Sequence, residues 1–265
     1  MLFLSAFSYS LLMSQDCDPT ACSEKLSNTS TAPSFAQLSS YQGAPKKATF
    51  TFPAGKVIEV ALFSIKPGQE KVLGQDYFPK VFPVAGEYGL TTSQTFTVVE
   101  HAYGEAPVQQ LGFFVWDSYE QKEKFNKDPR YLKLRNIRNK AIDFLYMGYF
   151  QVEKDITYTF DDQSVYDFAA LWIVPEEAPK LSQYFEKVAP VATTAKYGYE
   201  PILTLNPLSN CTSGKYTPSL IGFARWAVPD GFARLQSNTT YQKYVHLRDE
   251  ATPYKDVMMV KANIQ

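Results

Sequence analysis

A chain of 265 residues, 45% hydrophobic and 20% charged, has room for one large domain or two ordinary ones, and enough apolar side chains to bury a sizeable core. A net charge of -1 argues against nucleic acid, whose phosphates demand a basic face. It also gives no polybasic reason to sit on an anionic membrane.

The first residues, 1–16, carry an apolar run too short to span a bilayer and similar to the hydrophobic region of a secretory signal peptide, although no Lys or Arg precedes it. Export is the expectation, with a cytoplasmic tail as the alternative. Residues 17–55 read as a loose leader rich in Ser, Thr, Ala and Pro, to which Thr49–Phe52 can add a short strand. Cys17 and Cys22 are close enough to close a small loop in an oxidising compartment, which leaves Cys211 over. Asn28, Asn210 and Asn238 begin Asn-x-Ser/Thr sequons, and Asn238 also stands where a helix N-cap is expected. Three scattered cysteines and two histidines build no usual structural zinc site, so no metal is expected.

A first unit occupies 56–155. Val57–Ile65 is a β-branched, apolar run and predicts a buried strand ended by Pro67-Gly68. A helix follows over about 69–85, with Tyr77, Val81, Val84 and Tyr88 on one stripe. Thr95–His101 and Val108–Trp116 predict two antiparallel strands. Ser118 with Gln121 forms a capping box, and Asp128-Pro129 opens a further helix. Phe144–Val152 predicts the last strand. The order β-α-β-β-α-β is the ferredoxin-like split unit.

A polar stretch, 153–163, reads as a linker to a second unit within 156–265. Its first strand is expected at Asp167–Val174, a long hairpin loop at 206–216, and its last strand at Val257–Ala262. Gly112, Phe113, Trp116, Tyr131, Arg138 and Ala141 reappear 110 positions on as Gly222, Phe223, Trp226, Tyr241, Arg248 and Ala251. The chain is therefore a tandem repeat. The copies differ where Ala227-Val228-Pro229 replaces Asp117-Ser118-Tyr119 and Thr239 replaces Pro129.

The run Trp116-Asp117-Ser118-Tyr119-Glu120, then Phe125, Asp128-Pro129-Arg130-Tyr131, Leu134 and Arg138, resembles the dimeric α/β-barrel proteins. It is most similar to the family called domain of unknown function 1330, and more distantly to antibiotic-biosynthesis monooxygenases. The resemblance implies an α+β fold in which two ferredoxin-like units pair their sheets into one barrel. With both units in one chain, it implies an internal pseudo-dimer and a monomer. The physics agrees: a sheet with helices on one face needs a cover for the other.

No Walker loop, Gly-x-Gly-x-x-Gly, His-Glu-x-x-His or Gly-x-Ser-x-Gly is present, and no cofactor is expected. Arg138 and Arg248 each sit seven residues after a Tyr on the apolar side of a helix. Each is an anchor for a ligand carboxylate or enolate, a structural ion pair with an acid such as Glu59 or Glu100, or a clamp on backbone carbonyls. His101 is a candidate general base, set against a merely solvated strand-end histidine. His246 falls off its helix's apolar stripe, and neither histidine has support as a haem ligand. Trp116, Tyr77 and Tyr88 are candidate pocket walls, set against core fillers. Three readings stand: a protein binding a small aromatic or apolar anionic molecule in repeat one, a cofactor-independent monooxygenase or isomerase, and an interaction module with a filled barrel.

Overall fold

A computed structural model describes residues 44–208 and 216–264. The signal-like segment, Cys17, Cys22, Asn28, Asn210 and Cys211 lie outside the described residues. The elements in chain order are β1 (Lys47–Phe52), β2 (Val57–Ile65), α1 (Phe78–Gly86), β3 (Leu90–Tyr103), β4 (Gln110–Trp116), α2 (Tyr119–Lys127), α3 (Pro129–Ala141) and β5 (Ile142–Gln151). They continue with β6 (Ile156–Asp161), β7 (Val165–Trp172), α4 (Ala178–Ala192), β8 (Tyr199–Pro207), β9 (Leu220–Trp226), α5 (Gly231–Gln236), α6 (Thr239–Ala251) and β10 (Tyr254–Ala262). Among the described residues no helix is long and apolar enough to cross a membrane.

Eight strands close into one barrel in the order β10-β3-β4-β2-β5-β8-β9-β7. Each repeat contributes a four-stranded antiparallel sheet. The two sheets join where β3 pairs with β10 and where β5 pairs with β8. The fold is the α+β, ferredoxin-like barrel with its pseudo-dimer inside one chain.

Strand alternation explains the two-sided burial. On β2, Ile58, Val60 and Leu62 point into the lumen, and Val57, Glu59, Ala61 and Phe63 point to the helices. The lumen is filled with buried aromatic and aliphatic side chains. Phe96 meets Phe160 and Phe223 at 5.2 Å and Phe113 at 5.6 Å between ring centroids, all edge-on.

The short strand allowed at Thr49–Phe52 is β1, two residues longer at its start, but the stretch read as a polar linker departs from the sequence reading, because it contains β6. The two pair with each other outside the barrel sheet. Their outward faces carry polar pairs, Thr49–Thr159 and Thr51–Thr157, each at 2.9 Å between hydroxyls. Their inward faces carry Phe50, Phe52 and Phe160, all buried in the lumen cluster, with Phe52 5.3 Å from Phe113. The ribbon supplies part of the barrel's own core. Its every-other-residue apolar pattern is short and interrupted by Thr and Asp, which is why it reads as polar.

β3 is longer than the expected Thr95–His101, because it pairs along one edge with β4 and along the other with β10. The first helix also differs. It begins as a wide π turn, Val72–Tyr77, where the Phe78 N–H reaches back to Leu73 O, and only then becomes α1. Pro79 and Pro83 remove two backbone donors from this stretch, which favours an irregular start. In repeat two the equivalent stretch lies within the regular α4, which a short 3-10 turn, Pro175–Glu177, precedes.

Candidate functional site in repeat one

Between the helix-facing side of the repeat-one sheet and its helices lies a cavity of about 80 Å³. Its walls are mainly apolar: Ala61 and Phe63 of β2, Phe114 of β4, Phe78, Val81 and Phe82 of α1, and Met147 of β5. Six side chains bring polar atoms to it: Glu59, Tyr77, Trp116, Lys122, Tyr131 and Arg138.

The local sequence explains each position. Glu59 stands on the helix-facing register of β2, so it is buried among apolar neighbours. Trp116 ends β4 and its indole Nε1 donates to Glu59 Oε2 at 2.8 Å. Lys122 lies on the inward face of α2, which Ser118 caps by accepting from the Gln121 N–H. Its ammonium reaches the same Glu59 oxygen at 3.0 Å, with the two side chains 4% and 6% exposed. It also lies over the rings of Trp116, at 4.5 Å, and Phe125, at 5.1 Å.

Arg138 enters from the last turn of α3 and is half-buried. Its Nη1 donates to Tyr131 OH at 3.1 Å, and its Nε and Nη2 donate to Asn139 Oδ1. Among the described residues it forms no ion pair. Neither Glu59 nor Glu100 is its partner, because Glu59 is already held by Lys122 and Trp116. Tyr77, at the end of the π turn, is buried beside this group. Burial pushes its phenol well above the ordinary range, against the opposing pull of the Arg138 charge.

The expected site residues therefore divide. Arg138, Trp116 and Tyr77 come together around the cavity. Tyr88 does not: its hydroxyl donates to Asp128 Oδ2 at 2.9 Å and braces the α3 cap. Asp128 also caps the Arg130 N–H, and the Arg130 side chain holds the Asp128 carboxyl well below the usual range. His101 does not line the cavity either. It is exposed on β3 opposite Met258 of β10, with Nε2 2.9 Å from Val108 O. β3 leaves its own sheet at this point to join repeat two, and carries the histidine with it.

Glu59, Lys122 and Tyr131 are the residues that sequence reasoning missed as a group. The 110-residue offset contained a signal, because it sets Lys122 against Phe232.

Repeat two shows what the same scaffold does without that lysine. Asp167 replaces Glu59, and Phe232 packs on Trp226 at 5.7 Å. Arg248 is buried, only 7% exposed, and its guanidinium makes four hydrogen bonds among the described residues. It donates to Tyr241 OH at 3.0 Å, Tyr103 OH at 3.1 Å and Asp249 Oδ1 at 2.7 Å, and its carbon sits 4.7 Å from the Tyr103 ring centre.

No protein-family model matches the chain, and no curated protein matches it in sequence. Solved structures match its shape. An anthrone oxidase-like protein is 12% identical with a TM-score of 0.56, over 82% of this chain and 96% of that one. A candidate monooxygenase from Fusobacterium nucleatum is also 12% identical, with a TM-score of 0.47 over 79% and 93%. Chlorite dismutase from Candidatus Nitrospira defluvii is 11% identical, with a TM-score of 0.46 over 79% and 92%. At 12% identity the likeness to the anthrone oxidase-like protein is one of fold alone.

Proposed function

We propose that this chain binds a small aromatic or otherwise apolar molecule bearing an anionic oxygen, in the cavity between sheet and helices of repeat one. The observation that carries the reading is Arg138: a half-buried guanidinium at an aromatic-walled cavity, with phenol and amide partners but no ion pair among the described residues. Such a group favours a carboxylate, phenolate or enolate over a neutral ligand. The Glu59–Lys122 pair is neutral in sum, so the excess charge facing the cavity is positive.

The cavity is smaller than the ~150 Å³ that takes benzene in an engineered core. Entry of a ring therefore requires one wall to move outward. The α1 wall suits this, because it starts in a π turn and holds Phe78 and Phe82 only partly buried, stacked at 5.5 Å.

The run from Trp116 to Tyr131 supports grouping repeat one with the domain-of-unknown-function-1330 proteins. A second reading is oxygenation of the same ligand without a cofactor. Its support is the fold shared with the anthrone oxidase-like protein. In that reading Arg138 steadies the ring's oxyanion, and the proton leaves through a group other than His101. Oxygen uptake in the presence of anthrone separates it from simple binding.

Calorimetric titration with benzoate and substituted benzoates tests the main reading. Arg138→Gln is expected to weaken binding by about tenfold or more, the loss of a charge-assisted pair, while Arg248→Gln leaves it unchanged in protein shown to be folded. Equal losses in both variants, or none in either, contradict the reading.

A further inference from the structure

The Glu59–Lys122 pair is an expensive feature in an apolar layer, and the second copy of the same scaffold does without the lysine. Taking an ammonium and a carboxylate out of water costs several kcal/mol per ion, and apolar replacements of such pairs are often neutral or stabilising. Repeat two keeps an acid, Asp167, at the Glu59 position but has Phe232 where Lys122 stands, over an equivalent tryptophan. The repeat folds into the same sheet-and-helix layers without the lysine. The pair in repeat one is thus not a requirement of the fold.

Its placement points to the ligand. Glu59, Lys122 and Trp116 all line the cavity that Arg138 enters. Glu59 takes its two donors on one oxygen, Oε2. The Lys122 ammonium has three protons. Glu59 accepts one of them, and the rings of Trp116 and Phe125 hold the ammonium against the cavity wall. Tyr77 lines the same cavity, so Arg138 and the Glu59–Lys122 pair share one aromatic-walled space.

From this we infer that Lys122 is a specificity-determining residue of the cavity. It donates to a second oxygen of the ligand, a carbonyl or ether acceptor on the same aromatic frame that carries the anionic oxygen at Arg138. The ligand class is then an aromatic with two separated oxygen functions, one ionised and one neutral. This inference rests on the reading of Arg138 given above.

The test uses the full chain and two matched pairs of probes: 3- and 4-acetylbenzoate against 3- and 4-isopropylbenzoate, which have nearly the same shape without the carbonyl. In the parent protein one acetyl probe is expected to bind about tenfold more tightly than its isopropyl partner, the size of a hydrogen bond to a charged group. Lys122→Met is expected to erase that preference while changing isopropyl binding little. Because Lys122→Met strands the Glu59 carboxylate, Glu59→Gln/Lys122→Met is measured beside it and keeps the test valid if the single variant unfolds. Benzoates that bind through Arg138 with no acetyl preference, or with a preference that survives both variants, overturn the role of Lys122 and leave the Arg138 reading standing. Failure of every probe to bind the parent overturns both.

Discussion

Trp116 Nε1 donates to Glu59 Oε2 at 2.8 Å, whereas the equivalent atoms of repeat two, Trp226 Nε1 and an Asp167 carboxylate oxygen, are buried with no hydrogen-bond partner among the described residues. Asp is one methylene shorter than Glu, and Phe232 supplies no cation. The Trp226 indole still eases the Asp167 charge, but its geometry stops short of a hydrogen bond. Burial therefore dominates and pushes the Asp167 carboxyl from its ordinary 3.8 up to about 7.

That shift makes a pH-dependent contribution to stability of definite sign. The folded state holds the Asp167 proton more tightly than the unfolded chain does. The contribution is fully present below about pH 3.8 and is lost as pH rises through about 7. Asp167→Asn removes it. Between pH 4 and 8 the parent should lose on the order of 2–4 kcal/mol relative to this variant in urea unfolding. Parallel stability curves for the two proteins would show that Asp167 titrates normally.

The β1–β6 ribbon is expected to matter for folding. Phe52 is fully buried against Phe113 and the rest of the lumen. Phe52→Ala should cost about 3–5 kcal/mol, and a chain begun at Val57 should lose still more. The sequence reading, in which residues up to 55 form a loose leader, expects neither. Denaturant midpoints of the two variants decide between them.

The two arginines should exchange ranks when stability is measured instead of binding. Arg248→Met removes a buried group that three tyrosines and Asp249 surround, and should cost about 2–4 kcal/mol. Arg138→Met removes a half-buried group with fewer partners and should cost about 1 kcal/mol. Thermal melts of both variants check the order.

Much of the architecture was legible because repeats and alternation are properties of the chain itself. Gly112, Trp116, Tyr131 and Arg138 with their copies reveal the duplication, and the β2 pattern reveals a strand buried on both faces. The β1–β6 ribbon was not legible, because it belongs to neither repeat and its inward Phe50, Phe52 and Phe160 alternate with threonines. Lys122 was not legible because a lysine on a strongly polar helix reads as solvated. Only the packing of α2 over Trp116 shows that it is buried. Chemistry alone makes His101 a candidate, yet topology decides where it goes, and β3 holds it at the seam with β10, its ring against Val108 O and outside the cavity.

A barrel closed within one chain leaves its eight strands no unpaired edge for a second copy. Among the described residues Tyr254 is the exposed large apolar side chain, too little for a stable interface. Light scattering should therefore give the mass of one chain, 30.0 kDa. A doubled mass at low concentration would contradict this.

The most direct test of the site is a crystal structure of the protein soaked with 4-acetylbenzoate. The account predicts the ring between the repeat-one sheet and α1, its carboxylate on Arg138, its carbonyl facing Lys122, and no second molecule beside Arg248. A ligand seated beside Arg248, or one lying in the barrel lumen, would contradict it.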